Sequence, residues 1–313
     1  TYLKNENIIV YDEKYIHVWP IHPYDRLIEI IKEREWDKLS IGVEMDSHYY
    51  TAFSHEKLKS GLPNANIKDS ERLVNWVRLV KSDQEIKFMK IASQITQLGM
   101  KTAFEAINPG VRQCDAVAKI YSTLISGTKE FGGDYSSIVP LIPTGKGTSA
   151  SHLSWTDDKF VDGEASIIEI SGVYKKYHCP MARTVLLGKP DQKKIDTMKR
   201  TREAIQAGID ATKPGNTADD VAQAFWKVLD KYGIEKKSRT GYSIGIGYPP
   251  DWGEHTLNIQ KGDKTILQKN VCFHMIAVMQ FGEWGVESSE SIRVTENGAE
   301  NFYKFPSDLH IKG

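Results

Sequence analysis

Two stretches of this chain echo each other about 105 residues apart, and no other feature restricts its fold as much. They are Asn108-Pro109-Gly110-Val111-Arg112-Gln113-Cys114-Asp115-Ala116-Val117-Ala118 and Lys213-Pro214-Gly215-Asn216-Thr217-Ala218-Asp219-Asp220-Val221-Ala222. In each, Pro-Gly ends one helix, because proline cannot continue it and glycine tolerates positive φ, and the polar residues that follow can cap the next. A repeat of this length predicts two similar halves related by a pseudo-twofold, with a site between them. β-rich runs follow each helix pair, at 135–143, 166–173 and 181–187 and again at 241–248, 271–280 and 290–295.

The first 80 residues read differently. Ile8-Ile9-Val10-Tyr11, a helix from Asp25 to Glu35, and Leu39-Ser40-Ile41-Gly42-Val43-Glu44 alternate as in part of an α/β domain. A capping box, Ser82-Asp83-Gln84-Glu85, then opens a long amphipathic helix, so the boundary is expected just before it, with domains 1–80 and 81–313.

Lys+Arg and Asp+Glu number 41 each, so no net field draws the chain to nucleic acid or to an anionic membrane surface. No apolar run approaches membrane-spanning length and the start lacks a signal-peptide pattern, which predicts a cytoplasmic protein. It opens on Thr1, which suggests that an N-terminal part precedes it. Cys114, Cys179 and Cys272 are odd in number and lack CxxC spacing, which argues for reduced thiols and against a structural zinc site.

The Pro-Gly helices, the strand pair around Glu169 and Arg183-Thr184, the turn Thr240-Gly241-Tyr242-Ser243-Ile244-Gly245 and the ending Val294-Thr295-Glu296-Asn297-Gly298-Ala299-Glu300-Asn301 resemble the pita-bread superfamily of methionine aminopeptidase, prolidase and creatinase. The resemblance runs from about residue 80 to the end. It implies an α+β pita-bread domain with pseudo-twofold halves behind a partial α/β N-terminal domain, in a homodimer. Metallopeptidases of that superfamily hold two divalent ions with two aspartates, a histidine and two glutamates. Those positions fall here on Glu169, Pro180, Tyr242 and, approximately, Ile276 and Ser289. One carboxylate in five cannot supply the donors such ions need, so no catalytic metal or other cofactor is expected.

Two long runs, Tyr177-His178-Cys179-Pro180-Met181-Ala182-Arg183-Thr184 and Gly241 to His255, look most like the ectoine hydrolase branch of that superfamily. The resemblance implies opening of the cyclic amidine of ectoine to N-acetyl-diaminobutyrate, with a small-molecule substrate and no macromolecular one. An amidinium carbon is already polarised by two nitrogens sharing a charge, so a nearby carboxylate suffices to attack it or to activate water. Glu169 is the expected central residue, His152 the proton donor by its match to creatinase, and Glu254 a partner of the amidinium or a proton shuttle. Tyr242, Trp252 and Trp155, with Trp284 close by, are expected to offer aromatic faces to the cation, and Arg183 to grip the substrate carboxylate or to support the hairpin. His178, His255 and His274 flank these motifs without an assigned role, and Trp76 and Trp226 read as packing residues. Two other readings stand beside this one: a creatinase-like amidinohydrolase on an open-chain guanidino acid, and a pita-bread protein that binds a partner without catalysis.

Overall fold

The computed structural model describes residues 3–189 and 191–313. The chain divides into two compact units between Leu73 and Val74. In the first, α1 (Pro23–Glu33) and α2 (Ala52–Gly61) pack with a two-stranded parallel sheet of β1 (Ser40–Val43) and β2 (Asn66–Asp69). Its small core joins Ile28, Ile31, Leu58 and Leu62. The run Ile8–Tyr11, β-like in sequence, is not a strand, and all four of its side chains are exposed. β-propensity needs a partner strand and a buried face to be realised, and neither is present there.

In the second unit α3 (Leu73–Arg78) leads to Val80, which bridges Val271, and to Lys81, whose N–H donates to the Asn270 carbonyl. The capping box at Ser82 forms as read: its side chain accepts from the Glu85 N–H, and Glu85 accepts from the Ser82 N–H, opening α4 (Asp83–Ala106). The first half continues with α5 (Gln113–Ser126) and the hairpin of β3 (Ala165–Tyr174) and β4 (Tyr177–Leu187). The second half repeats the plan with α6 (Gln192–Ala211), α7 (Ala218–Lys231), the short hairpin β5 (Gly241–Tyr248) and β6 (Asp251–Asn258), and the long hairpin β7 (Cys272–Phe281) and β8 (Trp284–Thr295).

The two Pro-Gly turns are equivalent in detail. Gly110 and Gly215 have φ of 83° and 90°, and their N–H groups donate to the Phe160 and Leu267 carbonyls. Each half also has its own core. One joins α4 and α5 to β3 and β4 through residues such as Met89, Ile95, Ile120 and Ile168, and the other joins α6 and α7 to β7 and β8 through Met198, Phe225, Phe273 and Val286. Each such side chain contributes about 1.5–3 kcal/mol by leaving water. One eight-stranded sheet runs through both halves in the order β10-β4-β5-β7-β8-β9, with β3 beside β4, β6 beside β5, and β9 (Gly298–Asn301) and β10 (His310–Lys312) closing the edges.

Segment 135–143, read as a strand, stays outside the ladder and meets β3 through an isolated bridge of Leu141 to Glu169 and through the Pro143 carbonyl, which accepts the Ile167 N–H. Pro140 and Pro143 lack the N–H groups a ladder would need there. Cys114 is half-buried, Cys179 and Cys272 are buried, and all three thiols are free. Among the described residues no helix is long and apolar enough to cross a membrane.

Candidate active site

Glu169 sits in the middle of β3, opposite Ala182 of β4. Its position is fixed from behind by α4: Thr96 Oγ1 accepts the Gly172 N–H at 2.8 Å and donates to the Cys179 carbonyl at 2.6 Å, tying both strands of the hairpin to the helix. A side chain at Gly172 would place its Cβ 2.4 Å from the Thr96 nitrogen, so glycine permits this approach. The Glu169 carboxyl faces a cavity of about 30 Å³ that it shares with Glu287 of β8, His152 and the apolar side chains of Ile276 and Val278. Burial, aided by the charge of Asp251, pushes Glu169 up to about 7. Glu287 is raised well above its ordinary range by burial and by the charge of Glu169, against the opposing pull of Lys236. At neutral pH Glu169 is therefore poised between a base and an acid.

Beside this cavity two of the positions that the resemblance matched to metal ligands, Tyr242 and Ser289, are linked through His274 by hydrogen bonds. Trp252 Nε1 donates to Tyr242 Oη at 2.8 Å, Tyr242 Oη meets His274 Nδ1 at 3.0 Å, and His274 Nε2 meets Ser289 Oγ at 2.6 Å. Ser289 Oγ also accepts the Ala182 N–H at 2.6 Å. Burial pushes His274 down to about 3 and Tyr242 well above 10, so both are neutral. A neutral imidazole donates from one nitrogen and accepts at the other, so the two links through His274 run one way or the reverse as the tautomer changes, while the Trp252 link is fixed. His274 is one of three histidines to which the sequence assigns no role; its partners lie on other strands, which spacing along the chain does not reveal.

Of the residues singled out in sequence, Glu169 and His152 come together, and several others do not join them. His152 lies on the exposed segment after the 3₁₀ turn Gly145–Ser149, with φ at 61°, a left-handed conformation that a non-glycine residue adopts at a cost. Glu254 is on strand β6, not on a loop, and is paired at 2.6 Å with Lys81, both side chains being 1% exposed. It does not line the Glu169 cavity. Burial raises its carboxyl and Lys81 pulls it back.

Arg183 is fully buried and every N–H is taken: Nε by the Pro306 carbonyl, Nη1 by the carbonyls of Ala182 and Ser289, Nη2 by Glu290 and the Phe305 carbonyl. No donor remains for a substrate carboxylate, so Arg183 supports the hairpin. Trp252 is wholly buried, so it offers no face to a cation and serves through its indole N–H on Tyr242. Trp155 packs edge-on to Tyr121 outside the cavity, and Trp284 stacks on Phe281 at the hairpin end. His178 is satisfied by the Ser137 N–H and the Lys176 carbonyl, and His255 pairs with Asp251.

Glu287 is the site residue that sequence reasoning passed over. It stands two residues before Ser289, among serines, and nothing in the pattern Glu-Ser-Ser-Glu says which glutamate points to the cavity and which to Arg183. Strand alternation provides the signal: Glu287 and Glu290 differ by an odd number of residues and so face opposite sides of β8.

The donor set does not fit a divalent metal pair. Glu169 is joined at the corresponding positions by Pro180, Tyr242, Ile276 and Ser289, which add no anionic ligand and only two neutral hydroxyl oxygens, both engaged by His274. Among the described residues no group of three or more His, Cys, Asp and Glu side chains is placed to hold a metal ion.

The model of metallopeptidase family M24 matches residues 87–296, and that of the creatinase/prolidase N-terminal domain matches residues 3–80. The ectoine hydrolase of Halomonas elongata is 41% identical over 98% of this chain and 79% of its own length. An uncharacterized hydrolase/peptidase of Sinorhizobium fredii is 38% identical over 100% of this chain and 80% of its own. Among solved structures, prolidase from Pyrococcus furiosus superposes with a TM-score of 0.77 at 22% identity, covering 90% of this chain and 80% of that one, a likeness of fold.

Proposed function

We propose that this chain, which belongs to metallopeptidase family M24, is a hydrolase that opens the ring of ectoine or a close cyclic amidine without a metal ion. The observation that carries this reading is Glu169: a buried carboxyl at about 7, facing a cavity with His152, where the peptidases of this fold hold metal. The 41% identity to an ectoine hydrolase supports the substrate class.

Ionised Glu169 takes a proton from water as the water oxygen bonds to the amidinium carbon. The tetrahedral carbon then expels one ring nitrogen. The electron pair of the broken C–N bond stays on that nitrogen, which receives a proton from His152 or from the newly protonated Glu169. The product is an acetamide with a free amine, N-acetyl-diaminobutyrate in the case of ectoine. Direct attack by Glu169 on the same carbon, with water releasing the adduct, uses the same residue in the same place.

A cationic substrate brings the charge that stabilises ionised Glu169, so binding itself prepares the base. The cavity as it stands has room for about one or two water molecules. Admission of a six-membered ring therefore requires it to widen, and the segment carrying His152 is its exposed wall. Mass-spectrometric detection of N-acetylated diaminobutyrate from ectoine tests the proposal. Urea released from creatine, with ectoine untouched, would instead identify an open-chain guanidino acid as the substrate. Turnover of neither would favour a binding role.

A further inference from the structure

The buried carboxylates of the second unit fall into two kinds. Glu254 has Lys81 and Glu290 has Arg183, each at hydrogen-bonding distance. Glu287 has no such cation. Its side chain lines the Glu169 cavity, the residue is 5% exposed, and Oε1 is buried with no hydrogen-bond partner. Lys236 is the cation whose field reaches it, but the Lys236 ammonium donates its three N–H groups to the Ser238 carbonyl, Ser238 Oγ and the Arg239 carbonyl. An unpaired carboxylate oxygen in a closed site is costly, and a second carboxylate beside it makes it more so. Such an arrangement is relieved by a ligand that carries positive charge and N–H donors in one plane.

We infer that Glu287 is a substrate-binding carboxylate: Oε1 accepts an N–H of an amidinium whose carbon is presented to Glu169. The inference rests on the proposed reading of the site and extends it by naming the group that selects a planar nitrogen cation. A charged hydrogen bond of this kind is lost when the acceptor becomes an amide, whereas a neutral ligand of the same shape gains nothing from it.

The experiment uses acetamidinium as a fragment probe and acetamide as its neutral isostere, with affinities for the full chain measured by ligand-observed NMR. Acetamidinium is expected to bind wild type more tightly than acetamide, and to weaken by about tenfold or more in Glu287→Gln. Glu287→Asp, which keeps the charge, should retain part of the preference. Circular dichroism of both variants checks folding, and replacing a carboxyl that burial holds toward its neutral form should not lower stability. Unchanged acetamidinium affinity in Glu287→Gln, or no binding to wild type, overturns the inference. Glu287-dependent acetamidinium binding in a protein that leaves ectoine intact would sink the ring-opening proposal and leave this one standing.

Discussion

Two buried glutamates in neighbouring parts of one sheet have opposite surroundings. Glu254 on β6 is locked to Lys81 at the start of the long helix, while Glu169 on β3 faces a cavity in company with another carboxylate. Both are almost wholly removed from water. The first arrangement is complete within the chain and holds the segment before α4 against β6. On the proposed reading, a cationic substrate completes the second. Burial of a carboxylate therefore says little about function until its partners are known.

The largest effect that separates the two regions should come from Glu169→Ala, which is expected to lower turnover of a cyclic amidine by roughly 10⁴-fold with the fold intact. Steady-state kinetics beside circular dichroism provide the check, and near-normal turnover would end the assignment. Next comes Lys81→Met, which strands Glu254 as an uncompensated buried charge. It should cost about 3–5 kcal/mol in denaturant unfolding with little change in turnover per folded molecule. A large kinetic defect without lost stability would move Glu254 into the chemistry.

Glu169→Gln should have the opposite sign in stability. The folded chain holds the Glu169 proton up to about pH 7, above the ordinary range near 4.5. That contribution is fully present below about pH 4.5 and is lost as pH rises through about 7. The glutamine variant should then be more stable than wild type by roughly 2–3 kcal/mol at about pH 8, with no advantage at about pH 4.5. The same titration predicts that kcat/KM rises by about tenfold per pH unit below pH 7 and levels above it. A pH-independent profile would put the working base elsewhere. The smallest effect is expected from chelation: dialysis against EDTA, or addition of manganese, zinc or cobalt, should leave turnover unchanged.

Much of the scaffold was legible because its signals are local. The capping box at Ser82, the turns at Gly110 and Gly215, and the hairpins flanking them each depend on a few adjacent residues and backbone rules. Glu169 was legible for a related reason, since a charged residue between Ile168 and Ile170 in a buried strand calls for an explanation. What was not legible depends on contacts between distant residues. Arg183 has the chemistry to hold a carboxylate, but its five donors are taken by groups that lie about 100 residues away or immediately beside it. Trp252 follows two prolines and glycine is next to it, a setting that suggests a rim, yet the hairpin folds it inward onto Tyr242. Glu287 needed both the strand register and the knowledge that its Oε1 has no hydrogen-bond partner.

The hydrogen-bond chain from Trp252 through Tyr242 and His274 to Ser289 also bears on which substitutions these positions tolerate. Replacing Tyr242 with histidine removes the acceptor of a buried indole N–H and the partner of His274, while a carboxylate at Ser289 loses the hydroxyl that His274 and the Ala182 N–H share. Either change alone disturbs a set of buried polar groups that pair with one another, and each group left unmatched costs about 1–3 kcal/mol.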